Sequence, residues 1–118
     1  MTRRRGGLAL VSVSVAFLAA GCGAVPHMSA DDGNPARGKV IFKKPTLDGQ
    51  PGCGTCHTLA NAGATGTVGP NLDQAKPSFD LVVHRVTLGQ GGMPSFKDQL
   101  QPQQIADVAE FVSSSAGG

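Results

Sequence analysis

The chain has 118 residues, enough for one small domain, and its ten lysines and arginines against eight acidic residues give a formal charge of +2. Three of the basic residues are Arg3, Arg4 and Arg5, and the longest basic run after them is Lys43-Lys44, which argues against a nucleic-acid-binding surface. With five phenylalanines and no tryptophan or tyrosine, the chain has little aromatic mass for its core.

The amino-terminal segment has the pattern of an export signal. The three arginines precede an apolar stretch at residues 8–20, which is shorter than the roughly 20 residues that a membrane-spanning helix needs. Small residues follow it, so we predict that residues 1–21 are a signal peptide cleaved before Cys22. Cleavage would remove three arginines and no acidic residue, changing the formal charge from +2 to −1.

Cys22 follows three small residues, and this pattern resembles the lipobox of bacterial lipoproteins. The resemblance implies a diacylglyceryl group on Cys22, although Ala19 stands where leucine is usual. The alternatives are a cysteine lost with an ordinary signal peptide or a free thiol in an uncleaved anchor. Residues 22–33 are small and polar and are predicted to tether a domain at residues 34–118.

The first predicted helix covers residues 35–43. Asn34 is a favourable N-cap, and Pro35 suits the first helical position because it has no N–H to leave unpaired. Gly38 lies inside this helix, where glycine costs up to about 1 kcal/mol relative to alanine. A glycine at such a position predicts close packing against another element.

Cys53, Cys56 and His57 form a Cys-x-x-Cys-His motif, the attachment site of a c-type haem. Each thiol can form a thioether with one vinyl group of the porphyrin, and the histidine then lies beneath the iron as an axial ligand. A redox dithiol is the first alternative, but no β-branched strand pattern precedes Cys53. A zinc site is the second, but it needs four ligands, and neither His27 nor His84 has zinc-site spacing.

Two further helices are predicted, at residues 79–88 and 102–114. Ser78 caps the first of them and Gly89 ends it. Each helix has one apolar stripe at helical spacing, and no convincing alternating strand pattern occurs elsewhere. The predicted class is therefore all-α, with about three main helices. The stripes consist of Phe79, Val82, Val83 and Val86 in one helix and of Ile105, Val108, Ala109 and Val112 in the other.

Met93 is the candidate for the second axial ligand. Met1 is the initiator and Met28 lies in the predicted tether, so neither is suitably placed. Two glycines before Met93 let the backbone bend close to a flat group, and Pro94 stiffens the turn. The alternative is that Met93 fills a gap in the core. His84 is a weaker rival, because it points away from its helix's apolar stripe.

These motifs, together with Gly69-Pro70-Asn71-Leu72, resemble a class I (monohaem) cytochrome c over roughly residues 34–114. The resemblance implies a small cytochrome c-like fold around one haem c, bound covalently through Cys53 and Cys56, with the iron between His57 and Met93. It implies three further features. The carbonyl of Pro70 accepts a hydrogen bond from His57, Leu72 lies against the haem face, and Gly38 and Phe42 cross the C-terminal helix, where Phe111 is their partner. Relatives often bind the haem propionates with tryptophan or tyrosine, which this chain lacks. Either Arg85, Lys76 or a backbone amide replaces them here, or the propionates stay in water.

The function implied is a non-enzymatic electron carrier. It would pass single electrons between larger redox complexes at the outer face of the cytoplasmic membrane, as an exported monomer held by its lipid. One alternative is a haem sensor or ligand-binding protein with a labile sixth ligand. The other is a fixed electron relay within an oxidase or dehydrogenase.

Overall fold

The computed structural model describes residues 27–118, so the predicted signal peptide, Cys22 and the first part of the tether lie outside the described residues. Within this part of the chain no helix is both long and apolar enough to cross a membrane. Residues 27–118 contain five α-helices, four two-residue strands and two 3₁₀ turns. The helices are α1 (Pro35–Phe42), α2 (Cys53–Cys56), α3 (Leu72–Ala75), α4 (Phe79–Leu88) and α5 (Pro102–Ser115), and the 3₁₀ turns are Ala30–Asp32 and Ala60–Ala62.

The three long helices begin where the sequence predicts. The Asn34 side chain accepts a hydrogen bond from the Arg37 N–H at 3.0 Å, and the Ser78 hydroxyl accepts one from the Leu81 N–H at 3.3 Å. Gly89 ends α4 with a φ of 69°, which glycine adopts without steric cost. The observed limits of all three helices agree with the predicted ones to within one residue.

The all-α prediction is only partly right. Strands β1 (Thr46–Leu47) and β2 (Gln50–Pro51) form one antiparallel hairpin, and β3 (Thr58–Leu59) and β4 (Ala64–Thr65) form another. Asp48 and Gly49 turn the first hairpin with φ angles of 44° and 87°, the positive pair that a two-residue type I′ turn requires. Two-residue strands are too short to show alternation, so the sequence pattern missed them. The four-residue helices α2 and α3 raise the predicted three helices to five.

Helix α1 crosses α5 with almost no space between the backbones. A Cβ placed on Gly38 would lie 1.9 Å from the Asp107 carbonyl oxygen and 2.7 Å from the Phe111 Cβ, so only glycine fits. The rings of Phe42 and Phe111 meet edge to face, with centroids 5.7 Å apart. The predicted crossing of Gly38 and Phe42 with Phe111 is therefore confirmed.

A buried carboxylate fixes the same crossing. The Asp107 side chain accepts the Arg37 Nε–H at 2.7 Å and the Asn34 backbone N–H at 2.7 Å, and it also accepts the Gln103 amide at 3.0 Å. The hydrogen bond from the Arg37 guanidinium is the main cause of a lowered pKa at Asp107, with help from the other two donors. This network joins the start of α1 to the first half of α5.

Packing against α5 begins before α1. The Ala30–Asp32 turn precedes Gly33, and a Cβ on Gly33 would lie 2.5 Å from the Ala106 carbonyl oxygen. Met28 is partly buried against the core. The last residues of the segment predicted as a tether therefore contact the domain.

Candidate functional site

A crevice of about 500 Å³ lies among α2, α3, α4, the loop at residues 89–94 and α5. Its walls are mostly apolar and include Phe42 of α1, Val82 and Val86 of α4, and Val108 and Val112 of α5. Of the predicted site residues, it brings together Cys53, His57, Pro70, Leu72 and Met93. Cys56 is half-buried beside it and is not among the lining residues.

Helix α2 presents the two thiols. Cys53 and Cys56 are three residues apart on a single helical turn, so their side chains lie on neighbouring positions of one face. A Cβ on Gly52, the residue before the turn, would lie 1.8 Å from the Lys44 carbonyl oxygen, so only glycine allows the turn to approach the end of α1. Removal from water raises the pKa of the Cys53 thiol to about 11. The thiol is therefore neutral at physiological pH, as its apolar surroundings require.

His57 follows this turn, and its ring orientation is fixed by Pro70. The imidazole Nδ1 lies 2.8 Å from the Pro70 carbonyl oxygen. Because a carbonyl oxygen only accepts hydrogen bonds, Nδ1 is the donor of this hydrogen bond. The tautomer with its single proton on Nδ1 has a free lone pair on Nε2, which is what a metal-binding imidazole needs. The hydrogen bond inferred from the family resemblance is present.

Two glycines that the sequence analysis did not assign shape this loop. A Cβ on Gly69 would lie 2.6 Å from the His57 Cε1 and 2.9 Å from its Nδ1, so a side chain there would displace the ring. A Cβ on Gly66 would lie 2.6 Å from the Cys56 carbonyl carbon. The only signal in the sequence was their proximity to Pro70, and spacing alone could not show that both pack on the Cys56–His57 backbone.

Met93 closes a tight turn that follows α4. The Gln90 and Met93 backbones exchange two hydrogen bonds, of 3.0 and 2.9 Å. Gly91 has a φ of 56°, the left-handed conformation that favours glycine, whereas Gly92 does not have a positive φ. The bend attributed to both glycines therefore depends on Gly91.

Arg85 is the charged side chain that lines the crevice, and Lys76, the other candidate for the haem carboxylates, is not among the lining residues. His84 is exposed on α4 and does not line the crevice, as predicted. Among residues 27–118 no group of three or more histidine, cysteine, aspartate or glutamate side chains is placed to hold a metal ion.

The donor set fits a haem. Cys53 on the crevice wall and Cys56 beside it suit thioether bonds. The His57 imidazole and the Met93 thioether suit iron, and the remaining lining is mostly apolar. A single guanidinium matches the carboxylates that a porphyrin carries.

Three comparisons agree with this geometry. Residues 33–112 match the family model described as cytochrome c oxidase, cbb3-type, subunit III. The chain is 33% identical over 104 residues to cytochrome c6 of Nostoc sp. (strain PCC 7120 / SAG 25.82 / UTEX 2576), with 77% of each chain covered. It is 31% identical over 95 residues to cytochrome c6 of Gloeothece citriformis (strain PCC 7424), with the same coverage. The crystal structure of the c-type cytochrome SorU from Sinorhizobium meliloti is 43% identical and superimposes with a TM-score of 0.65, covering 75% of this chain and 95% of that one.

Proposed function

Because this chain belongs to the class I, monohaem cytochromes c, with one haem c bound covalently through Cys53 and Cys56, we propose that it is a non-enzymatic electron carrier. His57 and Met93, which both line the crevice, would hold the haem iron. The haem supplies a one-electron change between ferrous and ferric iron. The residues around it keep both ligands in place, so that little reorganisation accompanies the transfer.

The position of Met93 supports the carrier over the sensor. Met93 and His57 both line the crevice, and each is presented by a backbone that local hydrogen bonds define. A ligand-binding protein needs one side of its iron open or loosely occupied. We therefore expect the visible spectrum of the reduced protein to stay unchanged when carbon monoxide is added. Immediate formation of a carbon monoxide complex would favour the sensor.

The experiment that tests the ligand is Met93→Ala in the haem-loaded protein. The variant should lose the iron–sulfur absorption band and fall in reduction potential, because a thioether ligand raises the potential of haem iron. Met28→Ala is the matched control, since Met28 is also a partly buried methionine and packs elsewhere on the core. An unchanged spectrum and potential in Met93→Ala would remove this residue from the site.

Arg85 is our proposed partner for the haem propionates, since it is the cation of the crevice wall. Arg85→Gln should shift the reduction potential and its dependence on pH. A hydrogen-bonded charge pair contributes about 1.5 to 3 kcal/mol. Only the part of that interaction that differs between ferrous and ferric iron changes the potential. A pH profile identical to that of the wild type would contradict this assignment.

The location is proposed from residues 1–22 alone. Export followed by lipidation of Cys22 would place the domain at the outer face of the cytoplasmic membrane, where it would pass electrons between membrane redox complexes. The mature protein should then begin at Cys22 with a diacylglyceryl mass, and Cys22→Ser should release it from the membrane fraction. Membrane association that persists in Cys22→Ser would contradict the lipid anchor.

A fixed relay is the second candidate, favoured by the oxidase-subunit description of the matching family model. A relay would co-purify with a large membrane complex after detergent extraction, whereas a shuttle would separate as a small single species. The result distinguishes the two roles without affecting the haem assignment.

A further inference from the structure

We propose that Ser95 is a positioning residue for Met93, the proposed second iron ligand, and that its hydroxyl holds the Met93 turn against the end of α4. The inference rests on the proposed function, in which the Met93 sulfur binds iron. It concerns what keeps external ligands away from that iron position.

The last carbonyls of α4 have no partners within the helix and accept hydrogen bonds from the loop that follows. The Arg85 carbonyl accepts the Gly89 N–H at 2.7 Å, as in a normal helix end. The Val86 carbonyl accepts the Phe96 N–H at 2.8 Å, and the Thr87 carbonyl accepts the Ser95 hydroxyl at 2.6 Å. The chain beyond Met93 is therefore fastened to the helix at two consecutive carbonyls.

The Met93 turn, which lies between the end of α4 and these two attachments, is closed by its own hydrogen bonds. Its two backbone hydrogen bonds join Gln90 and Met93, and a Cβ on Gly89 would lie 2.5 Å from the Met93 carbonyl oxygen. Opening the site therefore moves the turn as a unit, by separating residues 95 and 96 from the end of α4. Phe96 is 4% exposed and anchors one of the two attachments through its ring. The other attachment is the hydrogen bond from the Ser95 hydroxyl to the Thr87 carbonyl, which a single substitution can remove.

Removing the hydrogen bond between the Ser95 hydroxyl and the Thr87 carbonyl should raise the fraction of molecules in which Met93 is displaced from the iron. An external ligand binds only that population, so its apparent affinity rises by the same factor as the open fraction. The typical net contribution of one hydrogen bond corresponds to about a fivefold change in an equilibrium constant. Ser95→Ala should then bind imidazole about fivefold more tightly than the wild type.

The test is a titration of the ferric, haem-loaded proteins with imidazole, followed by visible absorption, with thermal unfolding measured in parallel. Ser114→Ala is the matched control, because the Ser114 hydroxyl also donates to a helix carbonyl at 2.6 Å, that of Glu110, on α5 away from the crevice. Ser114→Ala should leave imidazole binding unchanged. Ser95→Thr keeps the hydroxyl and should restore most of the wild-type affinity.

A second variant, Gly89→Ala, tests the same contact between the Met93 turn and α4 from the other end of the turn. Gly89→Ala forces a side chain onto a φ of 69° and against the Met93 carbonyl, so it should also increase imidazole affinity. Should Ser95→Ala fail to fold, Gly89→Ala and Ser95→Thr still decide the question. If Ser95→Ala binds imidazole with wild-type affinity, the proposed role of the Ser95 hydroxyl is wrong. If Ser95→Ala does not fold, wild-type imidazole affinity in Gly89→Ala would contradict the proposal instead.

Met93→Ala separates this outcome from failure of the proposed function. If Met93 is the ligand, Met93→Ala binds imidazole tightly, and adding Ser95→Ala changes nothing further. If Met93→Ala keeps the wild-type spectrum and affinity, the ligand assignment fails, and the role of Ser95 fails with it.

Discussion

Helix α5 contributes to two regions that are filled in different ways. On one face, Gly38 and Phe42 of α1 meet Asp107 and Phe111 of α5 with no room for a methyl group. On another, Val108 and Val112 face a crevice of about 500 Å³. The crossing is complete with protein atoms alone, whereas the crevice is apolar and needs a non-protein group to fill it. The difference shows how a small domain with few aromatic side chains divides its core between polypeptide and haem.

The largest expected effect comes from preventing haem attachment. At about 24 cal/mol per Å³, an empty space of this size would cost at most roughly 12 kcal/mol, comparable with the entire stability of a domain. Cys53→Ala/Cys56→Ala should therefore lose cooperative thermal unfolding, followed by far-ultraviolet circular dichroism.

Thr55→Ala is the control for this change, because Thr55 lies between the cysteines and is exposed. A double variant that melts cooperatively within a few degrees of the haem protein would show that the crossing alone is sufficient. The two regions would then be independent.

The crossing can be disrupted without touching the crevice by Gly38→Ala. The added methyl would gain up to about 1 kcal/mol of helix propensity. It would also meet a backbone carbonyl at 1.9 Å, and overpacking of this kind typically costs 1–3 kcal/mol or more. We expect the steric cost to prevail, because backbone atoms cannot rotate away, and the melting temperature to fall by about 4–8 °C per kcal/mol.

Gly92→Ala adds the same methyl where no atom lies within 4 Å, so it should change the melting temperature little. Equal stability of Gly38→Ala and the wild type would mean that the helices can separate at no cost. That result would contradict the account of the crossing as tightly filled.

The smallest expected effect is that of acid on the crossing. The pKa of Asp107 is lowered by its hydrogen bond from Arg37, so the carboxylate stabilises the fold fully above its unfolded value of 3.8. This contribution is lost as the pH falls through the lowered folded value. Because Arg37 is 58% exposed, solvent screens the pair, and we expect Asp107→Asn to cost about 1–2 kcal/mol at pH 7.

Urea unfolding at pH 7 and near pH 3 checks this expectation. The difference between Asp107→Asn and the wild type should shrink at the lower pH, because pH 3 lies below the unfolded value of 3.8 and part of the carboxylate's contribution is lost there. Asp73→Asn is a suitable comparison, since the Asp73 pKa is also lowered, by the Gly117 and Ala60 backbone N–H groups, outside the crossing. A pH-independent difference for Asp107→Asn would exclude its charge as the cause.

The sequence predicts best the features that local chemistry determines. Asn34, Pro35 and Ser78 mark helix starts through groups within three residues of one another, and the observed helix limits follow them. The Cys53–His57 spacing likewise predicts the haem attachment, because the chemistry depends on neighbouring residues.

Features that depend on distant partners are not visible in the sequence. Asp107 looks like a solvent-exposed position on a helix, and the residue that stabilises its charge, Arg37, is 70 positions earlier. The Gly69 contact with the His57 ring and the Ser95 bond to Thr87 also arise only when loops fold back on the chain. The sequence predicts one buried apolar stripe on α5, whereas eight residues of this helix are buried. The reason is that α1 and α4 cover α5 from two directions.

The hairpin between α1 and α2 has a closed base and an open tip. The Gly52 N–H donates to the Pro45 carbonyl at 2.9 Å, so the two ends of the hairpin lie next to each other. No atom lies within 4 Å of a side chain grafted onto Gly49, and Asp48 beside it is exposed. A reporter peptide spliced between these two residues would therefore leave the distance from α1 to the thioether cysteines unchanged. The hairpin tip offers a tagging point within the domain, and neither Asp48 nor Gly49 lines the crevice.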